Sequence, residues 1–234
     1  MMNREATART EQMIGREGCE RLAGAHVLIV GLGGVGSYAA EALARGGVGT
    51  LTLVDYDHVS ESNINRQLVA LRSTLGQLKV DVMRARMLDI NPDAVVNVLA
   101  VKFSKAVADT LNWASFDYVI DAIDALSAKV ELVVQARAAG VPIISAMGAA
   151  NKFDPTQFTV TELFNTMNCP LARFMRKRLR KRGVDSLEVV FSSEQASPAD
   201  VADLPAPDLG SLPFVPSVAG LILAGVVFRR LAGV

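Results

Sequence analysis

The chain is expected to adopt an α/β fold, a mostly parallel sheet covered by helices on both faces. Two features of the sequence lead there. Apolar stretches of strand length alternate with stretches of helical periodicity from residue 26 to about 147, the pattern of strands that pair side by side through crossover helices. A glycine-rich turn separates the first of those strands from the first helix that follows it.

The elements follow in order. Residues 1–25 read as a polar arm and helix; "MMNREATARTEQ" has no apolar segment of the kind that directs export. "HVLIV" is a buried strand, residues 34–45 are a helix and residues 50–54 a second strand, which together make a right-handed βαβ unit. A helix over 76–90 stops at Asn91-Pro92. "AVVNVLAV", "FDYVIDAID" and "VPIISAM" are the third to fifth strands, with a helix over 126–139 between the last two. Residues 26–150 are thus expected to form a βαβ core. Beyond Gly148 the rhythm changes: "TQFTVTEL" and "LEVVFSSE" read as added antiparallel strands on either side of a basic helix. "SPADVADLPAPDLGSLP", with four prolines and no period, reads as a loop or linker inside a single domain spanning 1–234. The apolar tail has only 14 uncharged residues, Val215–Phe228, interrupted by Pro216. That is short of the roughly 20 needed to cross a bilayer, so a buried helix is expected and no stable membrane insertion.

Composition narrows the classes of function. Lysine plus arginine equal aspartate plus glutamate at 24 each, so the chain carries no general bias toward polyanions and any nucleic-acid surface must be local. Cys19 and Cys169 stand 150 positions apart with no CxxC pair. That pattern suggests neither a disulfide framework nor a zinc site, and a reducing cytoplasm is the expected location.

"GLGGVG" places Gly31, Gly33 and Gly36 in the G-x-G-x-x-G arrangement, with Gly34 in addition. Set between a strand and a helix, these glycines permit a tight turn, close approach of a phosphate and close helix packing, so a Rossmann-like nucleotide site is expected. Asp55 lies 19 positions beyond Gly36 and ends the second strand, where a carboxylate accepts hydrogen bonds from ribose hydroxyls. These residues alone fit an NAD-dependent oxidoreductase. The next stretch, "DYDHVSESNINRQ", adds Asp57, Asn63, Arg66 and Gln67, and Lys79 follows. Concentrated positive charge beside phosphates suits attack on an α-phosphate better than hydride transfer. The plainer reading makes Asn63 a helix cap and the cations solvated. Asp121 and Asp124 end the fourth strand at the edge where ligands bind in open α/β sheets; one of them can cap or brace the following helix, and one can serve magnesium.

Taken together, "GLGGVG", "DYDHVSESNINRQ", Lys79 and "DAIDA" resemble the ubiquitin-activating-enzyme-like adenylating family that includes ThiF, MoeB and HesA. The resemblance implies ATP in place of NAD and transfer of AMP to a carboxylate. It implies that Asp55 binds ribose, that Asn63, Arg66 and Lys79 serve the phosphates, and that Asp124 helps to hold Mg2+. Arg9, in "ARTEQMIG", matches an arginine that reaches the neighbouring subunit's nucleotide, which implies a homodimer. Members that activate a sulfur carrier commonly carry two zinc-binding CxxC pairs, which are missing from this sequence.

Two further features bear on the substrate. Cys169 precedes Pro170 at the start of a helix expected to run to Gly183, and can be a cap or, less readily, a nucleophile. "RFMRKRLRKR" carries Arg173, Arg176, Lys177, Arg178, Arg180, Lys181 and Arg182, while Leu171, Phe174, Met175 and Leu179 are expected to form one packing stripe. Such a face suits an RNA backbone, a solvated surface or an acidic membrane. "GLGGVGSYAAEALARGGVGTLTLVDYD", "DPTQFTVTEL", "PLARFMRKRLRKRGV" and "VVFSSE" are similar to the tRNA threonylcarbamoyladenosine dehydratases within that family. That similarity implies ATP-dependent cyclisation of threonylcarbamoyladenosine in tRNA, with the basic helix on the tRNA. Cys169 replaces the aspartate expected before Pro170 in that group. The alternatives are an adenylyltransferase for a ubiquitin-like sulfur carrier, with a sulfur-carrier or cysteine-desulfurase system as partner, and a noncatalytic nucleotide-binding dimer.

Overall fold

The computed structural model describes residues 4–195 and 209–234; most of the proline-containing loop, residues 196–208, lies outside the described residues. The helices are α1 (Arg4–Gly24), α2 (Gly36–Arg45), α3 (Lys79–Ile90), α4 (Lys105–Ala108), α5 (Leu126–Ala138), α6 (Pro170–Arg180) and α7 (Phe214–Ala232). The strands are β1 (His26–Val30), β2 (Thr50–Val54), β3 (Val95–Leu99), β4 (Tyr118–Asp121), β5 (Ile143–Ala146), β6 (Phe158–Glu162) and β7 (Glu188–Ser192). They form one seven-stranded sheet in the order β3-β2-β1-β4-β5-β7-β6.

The sheet is parallel from β3 to β7. Only the edge strand β6 runs against its neighbour. The two added strands are therefore antiparallel to each other, but β7 extends the parallel part. The chain goes out to the edge as β6, crosses through α6 and returns as β7 between β5 and β6.

Alternation along the strands splits the core into two layers, because successive side chains point to opposite faces. Val27, Ile29, Leu51, Leu53, Ile120 and Ile144 pack with Leu43 of α2 and Leu223 of α7. Leu28, Val30, Val119, Ile143 and Val189 pack with Leu132 and Val133 of α5 and with Met175 and Leu179 of α6. Each such leucine or valine contributes roughly 1.5–3 kcal/mol. Exposed pairs such as Arg16–Glu20 are screened by solvent and contribute little, so apolar layering, not surface charge, holds the fold.

The apolar C-terminal segment is a helix of this core. Val215, Ala219, Leu223 and Val227 are almost fully buried, and α7 runs so close to α2 that a Cβ on Gly220 would stand 2.2 Å from the Val35 carbonyl oxygen. Arg21 closes its end by donating from Nε to the Ala232 carbonyl at 2.9 Å. At the other terminus, Gly15 takes φ 71°, ψ 170° and breaks α1 into two segments; a left-handed φ of this kind costs glycine nothing. Thr7, in the first segment, lies beside Gly47 at the far end of α2.

A charged pair sits where β4 meets α5. Lys129 and Asp121, both fully buried, approach to 3.0 Å. Lys129 Nζ also donates to the Ile123 carbonyl at 3.0 Å, while Asp121 accepts from Ser145 Oγ at 2.6 Å and from the Ile123 N–H at 3.2 Å. Burial pushes the Asp121 carboxyl up, against the pull of Lys129 and these donors. Removing one member leaves the other charged and dry. Lys129→Met is expected to lower the unfolding free energy by about 3–5 kcal/mol in a urea titration, and adding Asp121→Asn should recover part of that loss.

Candidate active site

The site is assembled at the carboxyl ends of β1, β2 and β4. Gly31 follows β1 at φ 92°, and a Cβ there would meet the Ala122 carbonyl oxygen at 2.6 Å. A Cβ on Gly36 would lie 1.8 Å from the Gly31 carbonyl oxygen. Both positions are closed by the protein's own backbone. Gly33 is different: the nearest atom to an added Cβ is Gln67 Nε2 at 3.8 Å, which leaves open room over the turn. Gly34 faces Pro216 of α7 at 3.1 Å and Arg66 Cγ at 3.4 Å. The first turn of α2 follows; its Ser37 and Ala39 N–H groups donate to the Gly33 and Val35 carbonyls at 3.1 Å, and its positive dipole end faces the turn. A turn closed beneath and open above, at a helix N-terminus, is a cradle for an anion.

Asp55 orients the turn. Its Oδ2 accepts from the Leu32 N–H at 2.6 Å and its Oδ1 from the Asp57 N–H at 2.8 Å. The carboxylate is held by β2 and the glycine turn together, and each oxygen keeps a lone pair for a hydroxyl. Lys79 opens α3 with its side chain 5% exposed and its Nζ 2.8 Å from Asp57 Oδ2. The structure thus joins Asp55, Asp57 and Lys79 in one chain of contacts.

The "SNINRQ" turn lies alongside. Asn63 is buried and acts as the expected cap, its Oδ1 accepting from the Ser60 N–H at 3.3 Å. Arg66 is half-buried and folds over its own turn, with Nη1 donating to the Ser62 carbonyl at 2.9 Å and to Asn65 Oδ1 at 2.8 Å. Gln67 is 8% exposed, beside Gly33, and its Oε1 is buried without a hydrogen-bond partner. An orphaned amide oxygen is costly; at the rim of an anion cradle it fits a bound group with a donor. Asn65 Nδ2 reaches the Ser211 carbonyl at 3.0 Å, so the start of the C-terminal segment rests on this turn.

Asp124 is exposed on the loop between β4 and α5, three residues from the buried Asp121. It is free to face a ligand where Asp121 is not. Arg9 is not brought to the site: it is exposed on the first segment of α1, whose Thr7 lies beside Gly47, at the opposite end of α2 from the glycine turn. A cavity of about 410 Å3 opens at that opposite edge of the sheet, lined by Tyr118, Glu188 and Arg230, and contains none of these residues.

The basic helix departs from expectation in three ways. Met175, Leu179 and Ala172 form its buried face, with Leu171 partly buried, but Phe174 is 46% exposed. Arg176 is turned inward, donating to the Thr166 carbonyl at 3.0 Å and to the Leu163 carbonyl at 3.3 Å. It braces the entry to α6 and is no part of an outer charged face. Arg178 donates to Ser127 Oγ and Arg182 pairs with Glu131, both on α5; Arg173 lies over the Phe174 ring and Arg180 over that of Phe164. Lys177 and Lys181 are exposed with no hydrogen bond or ion pair among the described residues. The helix also stops at Arg180, three residues early, before Gly183 at φ 70°.

Cys169 is the buried cap of α6, its Sγ accepting from the Ala172 N–H at 3.5 Å. Near it lies Lys152, which sequence reasoning passed over because a single lysine in "AANKFDPT" gives no local signal. Lys152 is buried, reaches the Ser192 and Glu194 carbonyls, and is pulled by burial below the ordinary lysine range.

A parallel sheet, a glycine cradle at its carboxyl edge and an acid-and-base-lined turn beside it define a nucleotide-binding α/β protein with the means to handle phosphates. Residues 7–234 match the ThiF family, and the chain belongs to it. It is 43% identical over 239 residues to a tRNA threonylcarbamoyladenosine dehydratase of Bacillus subtilis, covering 96% of this chain and 93% of that protein. An Escherichia coli protein of the same name is 39% identical over 193 residues, 79% of this chain and 72% of that one. The solved structure of E. coli tRNA N6-threonylcarbamoyladenosine dehydratase in complex with ATP has a TM-score of 0.90 at 34% identity, covering 98% of this chain and 95% of that one.

The glycines separate packing from binding. Gly36→Ala is expected to cost about 1–3 kcal/mol in thermal or urea unfolding, since backbone must move to admit the methyl. Gly33→Ala should leave unfolding unchanged to within about 0.5 kcal/mol.

Proposed function

We propose that the protein uses ATP to dehydrate N6-threonylcarbamoyladenosine in tRNA. A threonyl carboxylate oxygen attacks the α-phosphate and pyrophosphate leaves, giving an acyl adenylate. The carbamoyl oxygen then attacks the activated carbonyl carbon, AMP departs with its carboxylate-derived oxygen, and one proton is lost as the five-membered ring closes. The net change in the nucleoside is one water. The nucleophile is already in the substrate, so proximity replaces an enzyme thiol.

The observation that carries this reading is the match over nearly the whole chain to the E. coli dehydratase solved with ATP. The site fits the reagent. Gly33 and the start of α2 receive phosphates, and Asp55 takes the ribose hydroxyls. Lys79, Arg66 and Asn63 stabilise the charge that develops at the α-phosphate. Asp124 is the carboxylate that would hold Mg2+, and the ion would supply charge neutralisation at the phosphates, since magnesium needs only one or two carboxylates in such sites. The protein works as a cytoplasmic homodimer, and Arg9 serves the partner subunit's nucleotide, which agrees with its distance from the site of its own chain. The exposed cations of the basic helix hold the tRNA.

The test is incubation with ATP, magnesium and tRNA carrying threonylcarbamoyladenosine, followed by gentle digestion and mass spectrometry of the nucleoside. An ATP-dependent loss of one water, abolished by Asp124→Asn, is expected. An unchanged nucleoside together with adenylation of a sulfur-carrier C-terminus would overturn the reading. Arg66→Ala and Lys79→Ala are each expected to reduce AMP formation more than tenfold, measured by release of labelled AMP.

A further inference from the structure

We propose that Phe174 is a stacking platform for an unpaired base of the tRNA loop that carries the modified adenosine, with Lys177 and Lys181 gripping the phosphates beside it. This rests on the reading of the substrate given above. The starting point is a misfit: α6 is amphipathic and its buried face is complete with Ala172, Met175 and Leu179, yet an aromatic side chain stands 46% exposed on the other side. Phe174 and Lys177 stand at i and i+3 of α6, and Lys181, its C-cap in still-helical conformation, continues the same ridge at i+7. The side chains of Lys177 and of Lys181, the residue that caps α6, have no hydrogen bond or ion pair among the described residues, and Arg173 and Arg180 meet only aromatic rings. The guanidinium of Arg173 lies over the Phe174 ring at 5.1 Å, which steadies the ring and supplies further positive charge.

Location agrees with the role. The beginning of α6 is at the carboxyl edge of the sheet, since Cys169 Sγ would lie 3.6 Å from a Cβ on Gly148, two residues past β5. Phe174 is in the first turns of the helix, nearest that edge, and Lys181 is farthest from it. Met167, before α6, and Phe153, after β5, are each 60% exposed. Asn168 Nδ2 donates to the Ser193 carbonyl at 3.4 Å and the Phe153 N–H to Glu194 at 2.8 Å, so both segments are tied to the end of β7. Charge selects the occupant. From Leu163 to Val184 there is no acidic residue, so a second copy of this helix would be repelled. A single-stranded RNA loop offers the two groups this ridge needs, a phosphate every nucleotide and a base to stack.

The test compares Phe174→Ala, Phe174→Leu and Phe174→Trp with the wild type in full-length protein, using tRNA that carries threonylcarbamoyladenosine. Binding is measured across a salt series, together with ATP-dependent loss of water. Loss of stacking is expected to weaken tRNA binding roughly 5- to 100-fold in both the Ala and the Leu variants. The salt dependence and the affinity for ATP should stay unchanged. Phe174→Trp should restore binding, and its added indole fluorescence should be quenched by tRNA. Lys177→Gln with Lys181→Gln should instead flatten the salt dependence by between one and two ions. Wild-type binding by Phe174→Leu would overturn the platform while leaving the dehydratase reading intact, because leucine keeps the apolar surface without a ring. So would a change of oligomeric state in Phe174→Ala, which would make this ridge a contact between copies. A wild type that neither binds nor dehydrates the tRNA removes both.

Discussion

Everything at the site depends on one topological constraint, the reversal of strand order between β1 and β4. Strands laid down on one side of β1 give way to strands on the other, so the connections leave in opposite directions and a crevice opens between them. Two devices hold it. Asp55 ties the glycine turn to the end of β2 through the Leu32 and Asp57 N–H groups. The buried Asp121–Lys129 pair then fixes the end of β4 against α5 and, through Ser145, against β5. The first is a lock with spare capacity for a ligand. The second is sealed from water and has none.

This division explains the different treatment of similar residues. Asp121 and Asp124 come from the same five-residue segment, but desolvation and a lysine claim the former and leave the latter in solvent. The glycines divide likewise between those closed by backbone and the one with room above it. The basic helix divides a third time: Arg176 is an internal brace, Arg178 and Arg182 dock α6 on α5, and the lysines remain exposed. Arginine's planar donors suit fixed bracing and lysine's mobile ammonium suits adjustable contacts. The charge run therefore contains both a structural and a surface component.

Much of this was legible in the sequence because it rests on local pattern. The strand–turn–helix of residues 26–45, the alternation of Val27 to Val30 between two layers, and the carboxylate after β2 each follow from periodicity or spacing of neighbours in the chain. What was not legible depends on residues far apart. The position of β7 between β5 and β6 is decided by a crossover, not by any property of "LEVVFSSE". Lys129 in a helix reads as a solvent-facing cation until Asp121 is found beneath it. Phe174, three residues after Leu171 and next to Met175, reads as the edge of the apolar stripe, and only the placement of α6 on α5 shows that the buried arc ends before reaching it. The first segment of α1 and its turn at Gly15 follow from a backbone conformation that composition does not reveal.

The Lys79–Asp57 contact has a consequence for turnover. An ammonium group this deeply enclosed is not left uncompensated: it already has the Asp57 carboxylate, and on the proposed reading an incoming phosphate competes with it. The free energy of capture is then the difference between two ion pairs, much smaller than the strength of either alone. A proposed site arranged as such an exchange would grip its reagent only moderately and surrender its products for the same reason, with Asp57 at hand to pair with the lysine again.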